Sequence, residues 1–335
     1  MKIATLGVSG AGKSCYLYAM SQVMRIGATN DDFTLQIRVK NDYVQRELEE
    51  GFSSMVDKKK WPDTTDVSLN KDGKITLKNY HFRVAFDDDG KTIGYNDYLI
   101  PDLHLIDYKG GALTLSDYDS LKQREKIFET FSDASAIVVF IDGSTLLYAM
   151  DSQDRHPIHR EMGNNSVEVL RKQNEILYIE NILDNYKEKR LIELNNQLKD
   201  EHQVQPLPPV LVAISKCDLF ADESEHQKAR IFLKRNLRSI FARGSNTDAG
   251  ITSFSLGDQL GTDDEGYIIG ELCTDISHNI HIPIVYGIYA YFSTGFDGFT
   301  PDERKEAYVL MAKLQEMMRG KVEMIINGYP AFEVL

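Results

Sequence analysis

Gly7-Val8-Ser9-Gly10-Ala11-Gly12-Lys13-Ser14 satisfies the pattern GxxxxGK[ST] at every position, and few eight-residue strings restrict a fold more. The glycines let the backbone curl until successive N–H groups point inward, a nest that suits an anion. Lys13 is placed to reach the β- and γ-phosphates of a polyphosphate, Ser14 to offer its hydroxyl to Mg²⁺, and the following helix to add its positive end. The flanks agree with this. Lys2 to Leu6 is a short β-prone run, and Cys15 to Ile26 carries Leu17, Met20, Val23 and Met24 at helical spacing. A chance match arises in roughly one chain of this length in a hundred, and the strand before and helix after lower that further. Gly7, Ser9, Gly10, Ala11, Gly12, Lys13, Ser14 and Cys15 are therefore the expected contacts of a nucleoside triphosphate or diphosphate.

Composition removes several other classes. Apolar residues make up 42% of the 335 and charged residues 27%, ordinary values that exclude wholesale disorder and permit a sizeable core. Lys and Arg number 38 against 51 Asp and Glu, a net charge of −13. Such a chain repels a phosphate backbone, so neither nucleic acid nor an anionic membrane is an expected partner. Three cysteines (Cys15, Cys217, Cys273) with no CxxC pair point to neither a disulfide scaffold nor a zinc knuckle. The run before the glycines is too short for a signal peptide, and nowhere do 18 apolar residues follow one another. A soluble, cytoplasmic protein without a membrane span is expected.

Along the chain, strand and helix patterns alternate. Phe33 to Val39 alternates like a strand, Tyr43 to Met55 is helical, and Asp57 to Asp66 (DKKKWPDTTD) reads as a loop. Lys74 to Phe86 alternates long enough for one strand or a hairpin. Leu103 to Ile106, Ala136 to Ile141 (AIVVFI) and Pro206 to Ile214 (PLPPVLVAI) are apolar runs suited to central parallel strands buried on both faces. Asn164 to Asp200 is a long charged helical stretch, and Glu223 to Ala242 is helical with a basic outer face. Gly250 to Leu256 reads as a strand, Asp258 to Glu271 as a polar insertion, and Asn279 to Phe292 as an apolar helix. Pro301 to Met324 reads as a last helix whose Met stripe belongs in a core. The alternation predicts an α/β phosphate-loop fold: a doubly wound, mostly parallel sheet with helices on both faces and inserted segments.

The base is addressed by Leu211 to Asp218, where an apolar strand ends in Ser215-Lys216-Cys217-Asp218. This resembles the [NTS]KxD guanine-recognition motif of GTPases. A carboxylate at Asp218 accepts from guanine N1–H and N2–H₂, whereas adenine presents an acceptor at N1. The Lys216 stem would lie along the base plane. A third strand ends in Asp107-Tyr108-Lys109-Gly110, which resembles the DxxG switch II motif. That resemblance implies that Asp107 holds Mg²⁺ through a water and that the Gly110 N–H bonds the γ-phosphate. Motif order and spacing resemble the translation-factor-like (TRAFAC) class of phosphate-loop GTPases, the group that includes Ras-like proteins. Switch I in that class carries a threonine over Mg²⁺ and γ-phosphate, and Thr64 and Thr65 in Trp61-Pro62-Asp63-Thr64-Thr65 are its candidates here. The Trp-Pro step also resembles bacterial double-GTPase-type domains. Ser255-Leu256-Gly257 is favoured for the base-contacting fifth motif, with Leu256 backbone against guanine O6; Ser293-Thr294-Gly295 is the rival.

The resemblance implies a GTPase-like domain over residues 1–292, with insertions near 151–205 and 258–278, and a C-terminal helical extension over 293–335 packed on it. It implies GTP or GDP with Mg²⁺ as cofactors; Lys13, Thr64, Thr65 and Gly110 as the catalytic set; and Ser14, Thr64, Thr65 and Asp107 as the metal set. The pattern departs after DxxG. Ras-like proteins place a water-orienting glutamine there, and this chain has Gly111 followed by Ala112 and Leu113. The loss costs rate and not binding. A slow GTPase switch that answers to a protein partner or assembly is expected; a non-hydrolysing GTP-binding scaffold and an ATP-dependent enzyme are the alternatives.

Overall fold

The computed structural model describes residues 1–8, 10–31, 33–62, 78–88, 91–93, 103–107, 125, 128–154, 175–197, 207–295 and 299–331. Its centre is five parallel strands: β1 (Lys2–Leu6), β6 (Leu103–Asp107), β7 (Ala136–Asp142), β8 (Val210–Ser215) and β9 (Asp248–Ser253), in the order β6-β1-β7-β8-β9. Beyond β6 run β4 (Lys78–Asp88), β3 (Phe33–Val39) and β2 (Ala28–Asn30), all antiparallel to their neighbours, with β5 (Lys91–Ile93) also on β4. Beyond β9 run β12 (Val322–Ile326) and β13 (Tyr329–Pro330), again antiparallel. The architecture is a doubly wound α/β sheet, mostly parallel at its centre.

The apolar runs explain why the central strands form. Every residue of β7 and of β8 is buried, because helices cover both faces. Alternate side chains divide between two cores. Ile3, Val138, Phe140, Leu211 and Ala213 meet α1 (Lys13–Ile26), α7 (Ile282–Ser293) and α8 (Pro301–Met318). Ala4, Leu6, Ile137, Val139, Ile141, Val212 and Ile214 meet α3 (Gly143–Asp154), α4 (Glu175–Gln197), α5 (Glu223–Asn236) and the short α6 (Arg238–Phe241). The helix α2 (Asp42–Val56), capped by the Asn41 side chain on the Tyr43 N–H at 2.8 Å, lies against α1 and β3.

The polar stretch from Asp258 to Glu271 forms an antiparallel hairpin, β10 (Gly257–Thr262) and β11 (Ile268–Leu272), while two expectations elsewhere are corrected. A Cβ at Gly257 would meet the Glu271 carbonyl oxygen at 1.8 Å, so the strands close only on glycine. The last helix stops at Met318 and not at Met324. Gly320, at φ 71°, turns the chain, and Val322–Ile326 then pairs with β9. Glu223 to Ala242 is broken at Leu237, whose backbone (φ −98°, ψ 66°) leaves the helical region. The helical reading of Asn164 to Asp200 holds for Glu175–Gln197, its other residues lying outside those described.

α7 lies tightly against β1 at Gly287. A Cβ on Gly287 would stand 2.1 Å from Ile3 Cδ1 and 2.8 Å from Cγ1, and Ile3 is fully buried. Gly287→Ala is therefore expected to cost about 1–3 kcal/mol by overpacking. Urea denaturation of this variant and of Gly287→Ala/Ile3→Val checks it, the second change restoring part of the loss by removing Cδ1.

Candidate functional site

The C-terminal ends of β1, β6, β7 and β8 lie along one edge of the sheet, and in open α/β sheets that edge is where ligands bind. The loop between β1 and α1 curls there. Gly10 and Gly12 stand at φ 87° and 83°, a region that L side chains rarely adopt. A Cβ on Gly7 would lie 2.8 Å from the Phe140 carbonyl oxygen, so only glycine lets the loop lie against β7. The cap residue of α1 is Gly12, which offers no side chain for capping. Lys13 is buried, and its ammonium turns back to donate to the carbonyls of Gly7 (2.7 Å) and Val8 (3.1 Å).

The end of β8 is fastened to this loop. The buried Ser215 hydroxyl lies 3.1 Å from Ala11 O and 3.2 Å from Ile141 O. Lys216 adopts the left-handed conformation (φ 54°) and donates to Asp142 Oδ2 at 2.5 Å. Asp142 ends β7 in register with Ser215, and its other oxygen accepts from the Ser144 N–H (2.8 Å) and hydroxyl (2.6 Å). Between them, a Cβ on Gly143 would stand 2.5 Å from the Ser215 carbonyl oxygen. Asp218 lies in the 3₁₀ turn that follows, and its Oδ2 accepts from the Leu260 N–H of β10 at 3.0 Å. The Cys217 N–H bonds Phe254 O at 3.2 Å, which brings Ser255 and Leu256 beside this turn. Burial, then the charge of Asp218, pushes the Cys217 thiol up to about 11 against its bond with Ser255, so it stays protonated at neutral pH.

Thus the structure brings Gly7, Gly10, Ala11, Gly12 and Lys13 together with Ser215 and Lys216, and Asp218 together with Cys217 and Ser255. Ser14 and Cys15 open α1 beside them. Asp107 ends β6, which is paired with β1, so its backbone reaches the same edge. Ser293-Thr294-Gly295 ends α7 and has no hydrogen bond to the Cys217 turn among the described residues. Ser9, Thr64, Thr65, Gly110 and Gly111 lie outside the described residues.

Two acidic residues were not singled out by sequence pattern. Asp142 had a usable signal, an aspartate closing the apolar run Ala136–Ile141 just before Gly143. Glu175 had none. It opens α4, is 3% exposed, and its Oε1 has no hydrogen-bond partner among the described residues. Burial first, then the charge of Asp142, lifts its carboxyl from 4.5 to about 7; bonds to the Thr145 side chain and the Asp142 backbone, and the charge of Lys13, pull the other way. A further group, Cys273, Asp275 and His278, has donor atoms within 4.8 Å of one another. These donors already serve each other: Cys273 Sγ lies 3.2 Å from Asp275 Oδ1, and the His278 ring is bonded by Ser277 and Asp258.

No family model and no curated protein matches this chain. Among solved structures it is similar to the SRβ–GTP/SRX complex of the signal recognition particle receptor from Chaetomium thermophilum, at 16% identity and TM-score 0.33, over 71% of this chain and 80% of that one. It is also similar to the GTP-bound Ski7 GTPase-like domain of S. cerevisiae, at 18% identity and TM-score 0.36, over 80% of this chain and 46% of that one. No helix among the described residues is long and apolar enough to cross a membrane.

Glu175 yields a stability prediction. Its folded-state pKa lies above its ordinary value, so the stabilisation of the protonated form is complete below about pH 4.5 and is lost as pH rises through about 7. Glu175→Gln keeps the shape without the charge. It is expected to be more stable than the wild type at alkaline pH by on the order of 3 kcal/mol, and to lose the decline between those two values. Urea denaturation across that pH range measures both.

Proposed function

We propose that this chain binds a guanine nucleotide with Mg²⁺ and hydrolyses GTP slowly, as a molecular switch. The observation that carries the reading is the curled loop itself: a buried Lys13 ammonium held over the Gly7 and Val8 carbonyls, with Gly10 and Gly12 left-handed at the start of a 14-residue helix. Backbone N–H groups, a cation and a helix N-terminus are thus carried by one short segment, the set of groups that a polyphosphate needs. Guanine is supported by Asp218, which stands in the turn that follows Ser215, the residue bonded to Ala11 of that loop, and Lys216, which is bonded to Asp142. With Lys216 tied to Asp142, its stem can lie along a base while its charge stays neutralised.

The proposed metal set combines the Ser14 hydroxyl with a carboxylate at Asp107, hard oxygen donors that fit Mg²⁺ better than a soft cation. When bound, that ion neutralises charge on the β- and γ-phosphates. The protein's own part is to hold: Lys13 grips the phosphates, Asp218 accepts from the guanine edge, and Ser215 keeps the two ends of the site in register. Thr64, Thr65 and Gly110 remain the proposed residues for closing over the γ-phosphate.

Lys13→Ala is expected to lower GTP affinity while Asp218→Asn lowers it by about 3 kcal/mol or more and raises affinity for the xanthine nucleotide, whose carbonyl matches the new amide. Calorimetry with GTP, ATP and XTP checks both, and equal wild-type affinity for ATP and GTP would remove the guanine reading. Turnover carries a separate expectation. With Gly111 in the place of a water-orienting glutamine, the isolated chain should hydrolyse GTP slowly despite tight binding, since a supplied arginine finger is worth about 10³–10⁵ in this chemistry. Single-turnover phosphate release measures it. Rates near one per second without a partner would refute the slow switch, and no release at saturating GTP would leave a GTP-binding scaffold.

A further inference from the structure

The β10–β11 hairpin makes two sets of contacts on opposite sides. On one side the Leu260 N–H donates to Asp218 Oδ2 at 3.0 Å. A charge-assisted bond of this kind fixes a carboxylate's rotamer. Asp218 Oδ1 has no hydrogen-bond partner among the described residues. Each carboxylate oxygen has two lone pairs, so the anchored oxygen also keeps one acceptor site. On the other side the hairpin holds the segment that leaves α2. The Ile268 N–H donates to Lys59 O at 2.6 Å, Lys60 bridges Tyr267, and the Lys60 ammonium lies 5.2 Å from the Tyr267 ring centre. Trp61 Nε1 donates to Thr262 Oγ1 at 3.0 Å. Leu260 and Thr262 are two residues apart on one strand, so Asp218 and Trp61 are fastened to the same short piece of backbone.

That backbone has little freedom. Gly270 stands at φ 90°, where a Cβ would lie 2.7 Å from the Asp258 and Gln259 carbonyl oxygens, and Gln259 itself adopts φ 50°. The pairing shifts register between Asp258 and Gly261, and such a bulge re-aims the residues beside it. Here it points the Leu260 N–H out of the hairpin and onto Asp218.

We propose that the β10–β11 hairpin is a positioning element for base recognition: the Leu260 N–H sets the carboxylate of Asp218, and Thr262 carries the occupancy of that site to Trp61. The proposal rests on the guanine reading above. Asp218 is the group that touches the base, and Leu260 acts through it. A carboxylate held in its accepting orientation before the base arrives loses less freedom on binding, which favours guanine over a base that cannot donate to it.

Trp61 is the sole tryptophan of the chain, so its emission reads this contact without labelling. The test uses the full chain with four probes: GDP, ADP, guanosine and inorganic tripolyphosphate, with affinities from calorimetry. GDP and guanosine are expected to change Trp61 emission, and tripolyphosphate is not. Thr262→Val should abolish the change while GDP affinity stays within about twofold. Leu260→Pro removes the N–H and should lower the GDP-over-ADP preference by about tenfold or more, with tripolyphosphate affinity unchanged. A Leu260→Pro variant that keeps the wild-type preference overturns the proposal and leaves the guanine reading standing. So does Trp61 emission that ignores bound GDP, or that answers equally to tripolyphosphate. A wild-type chain with no preference for GDP over ADP removes both. If circular dichroism shows Leu260→Pro unfolded, the wild-type emission and Thr262→Val decide the matter.

Discussion

The ion pair between Lys216 and Asp142 is the contact on which the rest of the site depends. It joins the ends of two central strands at the place where both must pass the phosphate loop. Half of the lysine side chain is open to solvent, so the pair itself contributes no more than ~1 kcal/mol. Its effect is geometric. Lys216 is held in a left-handed conformation, Gly143 admits the β8 backbone at a distance no Cβ would allow, and Ser215 is left facing Ala11. Displacing any one of them moves the loop, the turn that carries Asp218, or both.

The same corner explains the buried carboxyl of Glu175. Asp142 is already committed to Lys216 and Ser144, and of the charges acting on Glu175 that of Asp142 opposes its ionisation while that of Lys13 favours it. A buried charge in that position is costly, and the group keeps its proton well above the usual carboxylate range. The acid pair therefore sets less negative charge within reach of Lys13 than its residue count implies. That matters for a site proposed to accept a polyphosphate on a chain of net charge −13.

Much of this was legible in the sequence, for physical reasons that can be named. Strands buried on both faces write themselves as unbroken apolar runs, and AIVVFI and PLPPVLVAI became β7 and β8 within a few residues. The loop was legible because its geometry permits so few residue types at Gly7, Gly10 and Gly12. The β10–β11 hairpin was not. Its residues GDQLGT and IIGEL are mostly exposed or half-exposed, so no alternation of apolar and polar marks them. The turn at Gly320 was also hidden, since Val322, Met324 and Ile325 continue the apolar spacing of α8 across the break. Glu175 was invisible for a third reason: it reaches Asp142 and Lys13 only through tertiary packing, from another segment of the chain.

The position of the hairpin has a consequence for how the two ends of the site are related. In this sheet the turns that carry Asp218 and Ser255 follow β8 and β9, while α2 follows β3, on the opposite wing beyond β6 and β4. Sheet pairing alone does not connect them. The hairpin follows β9 in the chain yet holds Lys59, Lys60 and Trp61 by backbone and side-chain bonds. It extends a path of contacts from Asp142 through Lys216, Asp218, Leu260 and Thr262 to Trp61. Each link in that path is single, so breaking the Leu260–Asp218 bond or the Thr262–Trp61 bond uncouples the two ends. What appears in the sequence as a polar interruption is thus the piece that ties the strand-end loops to the far wing of the fold.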